Sequence, residues 1–179
     1  MSSYSAQRFF KYIEQNQLLD EQALDATKIE VLKSGEDPEE YFRQKHLLSE
    51  ENLLQAKAFA MQVEYINLIN RATSPQALAL ITEGIARQYT IFPFEFDPKD
   101  NSIKIATDQP LNLENISFLE KKTGKKIIPY LGAAEDIVEA IDIQYRQNIS
   151  PTVTSALEEF STRRKSEALD ALKKKRIIV

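Results

Sequence analysis

The chain has 179 residues, of which 42% are hydrophobic and 28% charged, and its formal net charge is −4. This length allows one ordinary domain or two small ones with a buried core. There is no cysteine and a single histidine, His46, which excludes disulfides, thiolate metal sites and multi-histidine metal sites. A net negative charge disfavours a general nucleic-acid binder, because binding to phosphates needs a basic face. We therefore expect the partner to be a protein or a small ligand.

The N-terminal third of the chain contains an internal repeat. Residues 17–24 reappear, with several identities, as residues 46–53, which is an offset of 29 positions. Each copy predicts a short helix, an apolar connector and a second helix that begins after a capping residue. The two capping residues are Asp20 and Ser49, whose side-chain oxygens accept the free N–H groups of a first turn. The repeat therefore predicts two consecutive helical hairpins.

Beyond residue 65 the pattern becomes that of a small mixed sheet packed with helices. The predicted elements are, in order, an extended piece at 65–68, a helix opened by Ser74 and Pro75, strands over 90–96 and 103–105, a helix over 111–122, a strand over 126–131 and a helix over 134–145. Turn-forming residues at 97–101 make the first two strands an antiparallel hairpin. The helix between the second and third strands predicts a parallel crossover.

Apolar periodicity predicts which side chains of these elements face the core. Strand alternation places Phe92, Phe94 and Phe96 on one face. Helical spacing gives three inward sets, which are Leu78, Ile81 and Ile85, then Leu111, Ile116 and Leu119, and last Ile137, Val138 and Ile141. We interpret the aromatic ladder as core, because no basic residues alternate with it as a nucleic-acid platform requires.

The predicted fold class is α+β: tandem helical hairpins, a small mixed β-sheet packed with helices, a linker and a C-terminal helix. The corresponding domains are a helical tandem-repeat subdomain at 1–66, a small α/β subdomain at 67–147, and a linker with a charged helix at 148–179. The last three residues, 177–179, are all apolar. We therefore expect the chain to be the front part of a longer protein.

An ordered series of segments resembles a known family. The segments are 56–68, 81–89, 91–94, 105–112, 123–126 and 135–141. Over roughly residues 8–146, their order and spacing are similar to the N-terminal domain of type II secretion and type IV pilus assembly ATPases. The resemblance implies a cytoplasmic protein, a homo-hexamer at full length, held at the inner-membrane face by partners. It also implies a front domain that docks the motor to a platform protein or a regulatory adaptor, in either a secretion or a pilus system.

The motif that hydrolyses ATP is missing from this chain. A phosphate-binding loop needs glycine, four further residues, then Gly-Lys-Ser/Thr. The only Gly-Lys pair is at Gly124 and Lys125, with Leu119 at the first glycine position and Lys126 at the hydroxyl position. We therefore predict no catalytic residues, no metal site and no cofactor here, with ATP and Mg²⁺ confined to motor domains beyond residue 179.

Some members of the family bind cyclic di-GMP through a tandem motif that contains arginines and glycines. Arg8 occupies the first arginine position, and Asp37 replaces the second. The four glycine positions hold Phe10, Gln17, Glu39 and His46. Because glycine permits close approach to a ligand and arginine pairs with phosphate, these replacements remove most of the binding chemistry. A cyclic di-GMP receptor is the alternative function, with Arg8 as candidate binding residue or, otherwise, a solvated surface charge.

Overall fold

The computed structural model describes residues 5–147 of the chain. This part contains, in chain order, α1 (Ala6–Gln15), α2 (Glu21–Ser34), α3 (Pro38–Gln44), α4 (Glu50–Met61), β1 (Glu64–Tyr65), α5 (Pro75–Leu80), α6 (Glu83–Tyr89), β2 (Ile91–Asp97), β3 (Ser102–Thr107), α7 (Leu113–Thr123), β4 (Lys126–Leu131) and α8 at 134–147. The residues up to Ile141 form one compact unit, and the second unit begins at Asp142. The predicted α+β class is confirmed.

Part of the predicted domain organisation stays a prediction. The predicted linker and C-terminal helix at 148–179 lie outside the described residues. The subdomain boundaries at residues 66 and 147 stay predictions. Among the described helices, none combines the length and apolar composition that crossing a bilayer requires.

The tandem hairpins form as the repeat predicts, because the chemistry of their caps repeats. Asp20 accepts a hydrogen bond from the N–H of Ala23 at 2.8 Å, and Ser49 accepts one from Asn52 at 3.3 Å. Between the copies, Gly35 ends α2 in the left-handed conformation, with φ of 70°. The two hairpins share one core, whose buried members are Phe9, Phe10, Ile13, Leu24, Val31, Tyr41, Phe42, Leu53, Ala56 and Ala60.

The sheet has four strands in the order β1-β4-β3-β2 and is mixed. Strands β2 and β3 pair antiparallel, whereas β4 pairs parallel with both β3 and β1. Helix α7 connects the parallel strands β3 and β4, as the crossover prediction requires. Helix α4 packs against α1 and also against β1 and β4, so it links the hairpins to the sheet.

A bulge in β2 changes which phenylalanines share a face. The register between β2 and β3 shifts just after Pro93, which is tolerated because β2 lies at the sheet edge. Phe92 consequently lies opposite Ala106, whereas Phe96 lies opposite Ile103, and these two β3 residues point to different faces. The prediction of one aromatic face is therefore wrong for the set Phe92, Phe94 and Phe96.

The single helix predicted after Ser74 is two helices, α5 and α6. The chain between them is extended at Ile81, with φ of −124° and ψ of 121°, and Thr82 then starts α6. An extended backbone suits a β-branched residue, and Ile81 is only 1% exposed in this position. The break thus lets the chain turn while Ile81 stays in the core.

Two residues predicted to face inward are exposed instead. Leu111 is outside because α7 begins only at Leu113. Val138 is outside because it follows the fully buried Ile137, and successive helical residues point about 100° apart. Three other residues that were predicted to face inward on these two helices are fully buried, namely Leu119, Ile137 and Ile141.

Candidate binding surface

The connectors of the two hairpins have the same unusual backbone conformation. Gln17 and His46 each have a φ of 51°, in the left-handed region that favours glycine. The N–H of Leu18 donates to the carbonyl of Ile13 at 3.0 Å, and the N–H of Leu47 donates to the carbonyl of Phe42 at 3.1 Å. Each acceptor lies five residues before its donor. Both connector residues are exposed. The chain therefore keeps the left-handed turn at these two motif positions although neither residue is glycine.

At a third glycine position of the motif, Glu39 places a largely buried carboxylate. Its side chain is 10% exposed and pairs with Arg43 at 2.8 Å and with Lys57 at 2.9 Å. Arg43 also pairs with Glu50 at 3.0 Å. The pKa of Arg43 lies above its ordinary value, mainly because of the hydrogen bond to Glu50 and also through that to Glu39. This network joins α3 to α4 and fills, with a paired side chain, a position where the motif needs space.

The remaining replaced positions of the motif have structural roles. Phe10 is 7% exposed and packs in the hairpin core, with its ring centroid 6.0 Å from that of Phe42. Asp37 caps α3 by accepting a hydrogen bond from the N–H of Glu39 at 3.0 Å. Neither side chain is therefore free to receive a ligand in this arrangement.

Arg8, the candidate site residue, is exposed on α1. It lines an open groove of about 480 Å³ together with Lys11, Phe59, Gln62, Val63 and Glu64. The connector residues Gln17 and His46 do not line this groove. Arg8 thus lies at a partly cationic groove. The residues at the four glycine positions of the motif do not line this groove.

The Gly-Lys pair lies at the wrong end of a helix for phosphate binding. Gly124 follows α7, has a φ of 66°, and donates its N–H to the carbonyl of Glu120 at 2.8 Å. The ammonium of Lys125 contacts the side-chain oxygen of Asn101 at 2.6 Å. Phosphate loops lead into the positive N-terminus of a helix, whereas a C-terminus carries partial negative charge. This pair therefore closes a helix and offers no phosphate cradle.

One polar group near the hairpins was missed by the sequence analysis. Asp108 follows β3, and its Oδ1 is buried with no hydrogen-bond donor among the described residues. Burial raises the pKa of Asp108, and the nearby charge of Lys57 acts in the opposite direction. Nothing in the local sequence marks this residue, because its burial depends on the packing of distant segments. Lys57 therefore pairs with Glu39 and also acts electrostatically on the loop after β3.

A second groove lies between α1 and α2 and is mainly apolar. It has a volume of about 540 Å³ and is lined by Ala6, Gln7, Phe10, Lys11, Glu14, Lys28 and Leu32. Helix α2 also carries two strongly exposed apolar side chains, Ile29 at 52% and Leu32 at 81%. The apolar character of these residues was visible in the sequence, but their exposure was not.

The paired hairpins and the mixed sheet together form an α+β domain in which the Gly-Lys pair ends a helix. A family model described as the MshEN domain matches residues 61–150, just over half of the chain. The chain belongs to this family, and so to the N-terminal domains of type II secretion and type IV pilus ATPases, as the resemblance predicted. These are non-catalytic domains of the ATPases. No curated protein matches the chain.

The similar solved structures have low sequence identity to this chain. A structure of MshE with cdg is 18% identical, with a TM-score of 0.56, and the match covers 75% of this chain and 96% of that one. A structure of the N-terminal domain of XpsE is 15% identical, with a TM-score of 0.47, and covers 79% of this chain and 97% of that one. At such identity the likeness to MshE shows a common fold.

Proposed function

We propose that this chain is a non-catalytic interaction domain that docks a secretion or pilus motor ATPase to the cytoplasmic part of an inner-membrane platform protein or a regulatory adaptor. Family membership carries the proposal, and the helix-capping position of Gly124 supports it. The full-length protein is then a homo-hexamer at the cytoplasmic face of the inner membrane. ATP and Mg²⁺ act in its motor domains, and this chain needs no cofactor.

The experiment that tests this function is a calorimetric titration of the whole 179-residue chain with the purified cytoplasmic part of the cell's platform protein. We expect saturable binding. Platform proteins of secretion and of pilus systems are titrated separately, because the one that binds assigns the system. Absence of binding to every platform part and regulatory adaptor of the cell would contradict the proposal.

A cyclic di-GMP receptor is the second candidate, favoured by a specific observation. MshE was solved with cdg, an abbreviation of cyclic di-GMP, and the left-handed Gln17 and His46 preserve the turn geometry of the motif. The buried side chain of Glu39 opposes it, because it occupies a position that the motif keeps open with glycine. Calorimetry with cyclic di-GMP separates the two functions. Saturation at micromolar ligand that disappears in Arg8→Ala would favour the receptor.

A further inference from the structure

The two copies of the repeat bury one helix face differently. In α4 the face that carries Ala58 and Met61 is buried, at 2% and 9% exposure. The residues 29 positions earlier, on α2, are Ile29 and Leu32, which are 52% and 81% exposed. A spacing of three puts each pair on one side of its helix. The first copy thus exposes two large apolar side chains at positions that are buried in the second copy.

This difference is confined to one side of the helix. Three further pairs of equivalent positions are buried in both copies, namely Leu24 with Leu53, Thr27 with Ala56, and Val31 with Ala60. Helix α2 is therefore seated in the hairpin core just as α4 is. What differs is the neighbour on the other side, since α4 packs against β1 and β4, whereas α1 is the main neighbour of α2 within residues 5–147.

Charged groups edge the exposed face of α2 and the adjoining groove. Two lysines, Lys11 and Lys28, line the groove together with one carboxylate, Glu14. Lys28 is held only by an exposed pair with Asp25 at 3.3 Å, and such pairs are weak. Lys11 makes no ion pair with any described residue. Lys11 is thus available to an acidic partner, and Lys28 can exchange its weak pair for one with that partner.

We propose that Lys11, Lys28, Ile29 and Leu32, together called the α1–α2 face, form the docking site for a protein partner that presents an apolar segment edged by carboxylates. This inference rests on the proposed function and names its surface and the chemistry of its partner. An apolar face of this kind buries against protein, and its lysines select acidic residues at the rim.

The test is the calorimetric titration with the platform part, repeated with variants of the whole chain. Leu32→Asp is expected to weaken binding at least about tenfold, because it places a charge in an apolar contact. Leu113→Asp is the matched control, since Leu113 is 75% exposed on α7, and its affinity is expected to stay within about twofold of wild type. Lys11→Glu is expected to weaken binding at low salt and much less at high salt. Circular dichroism checks that each variant is folded.

The outcomes distinguish this inference from the proposed function. If the wild type binds and Leu32→Asp binds equally well, or if Leu113→Asp is as damaging, the α1–α2 face is not the docking site while the proposed function stands. If the wild type binds no platform part and no adaptor, both fail. Sedimentation that shows wild-type dimers dissociated by Leu32→Asp would assign the face to a second copy of this chain and overturn the inference.

Discussion

The environment of Asp108 disfavours the charged form of its carboxyl group. Burial raises the pKa of its carboxyl above the ordinary 3.8, because the charged form loses water without gaining a donor at Oδ1. The folded state therefore holds this proton more tightly than the unfolded state does. The stabilising contribution of the neutral acid is fully present below pH 3.8 and is lost as the pH rises through the folded pKa.

Asp108→Asn removes this titration while keeping the shape of the side chain. The free energy of unfolding of the variant, relative to wild type, is expected to increase as the pH rises above 3.8 and then to level off. Urea unfolding at a series of pH values measures it. Asp100→Asn, in the exposed turn after β2, is the control for the loss of a surface carboxylate. A difference in unfolding free energy between Asp108→Asn and wild type that does not change with pH would contradict the raised pKa of Asp108.

Glu39 tests the buried network that replaces a motif glycine. Glu39→Gln leaves Lys57 and Arg43 without their shared carboxylate and should lower the free energy of unfolding by about 1–3 kcal/mol. Glu40→Gln is the matched control on the same helix, because its side chain is 57% exposed and its pairing is at 3.7 Å, and it should cost less than about 0.5 kcal/mol. Chemical denaturation measures both variants, and equal losses of unfolding free energy would contradict a stabilising role of the buried network.

Single residues show where sequence reasoning stops. The replacement of motif glycines could be seen in the sequence, but the left-handed turn at Gln17 and His46 could not, because neither residue type favours it. The paired carboxylate of Glu39 was equally hidden, since its partner Lys57 lies on another helix. Arg8 is exposed on α1, and whether it binds a ligand stays a prediction.

At the scale of the element, the caps of α2 and α4 are the features that the sequence indicated most directly. Asp20→Ala and Ser49→Ala should each lower the free energy of unfolding by about 1 kcal/mol, because a first-turn N–H loses its acceptor. Asp25→Ala, at an exposed position within α2, is the control and should change it by less than about 0.5 kcal/mol. Thermal unfolding measures the set, and a control as damaging as the caps would contradict the interpretation.

The two connectors carry strain that glycine would relieve. Gln17→Gly and His46→Gly should each raise the free energy of unfolding, by roughly 0.5–1 kcal/mol, because the left-handed cost of a side chain exceeds the entropy cost of glycine. Ala26→Gly, at an exposed position of α2, should instead lower it by about 1 kcal/mol. If the connector variants are less stable than wild type by denaturant unfolding, the strain argument is wrong.

Elements were predictable where local chemistry determines them. Side-chain caps, a repeat and turn residues predicted both hairpins and the pairing of β2 with β3. The bulge after Pro93 and the extended residue Ile81 were missed, because each is set by packing against other elements. Leu111 and Val138 were misplaced for a similar reason, since apolar character alone does not say on which side of an element the core lies.

For the whole molecule, the important relation is that between the repeat and the sheet. Helix α4 packs against β1 and β4 and buries Ala58 and Met61, whereas the equivalent residues of α2, Ile29 and Leu32, are exposed. The repeat and the sheet could each be predicted from the sequence. The difference in burial between the two copies could not, because it depends on how α4 packs against the sheet. A domain with a duplicated hairpin and one copy left open has a surface available for binding, in keeping with a docking role.

The most direct measurement compares two ligands on the same sample. The 179-residue chain is titrated by calorimetry with the cytoplasmic part of the platform protein, and separately with cyclic di-GMP, under identical buffer conditions. We expect saturable heat with the platform part and none with the dinucleotide. Saturation by cyclic di-GMP at micromolar concentration, with no heat from any platform part, would contradict the docking role and make the chain a second-messenger receptor.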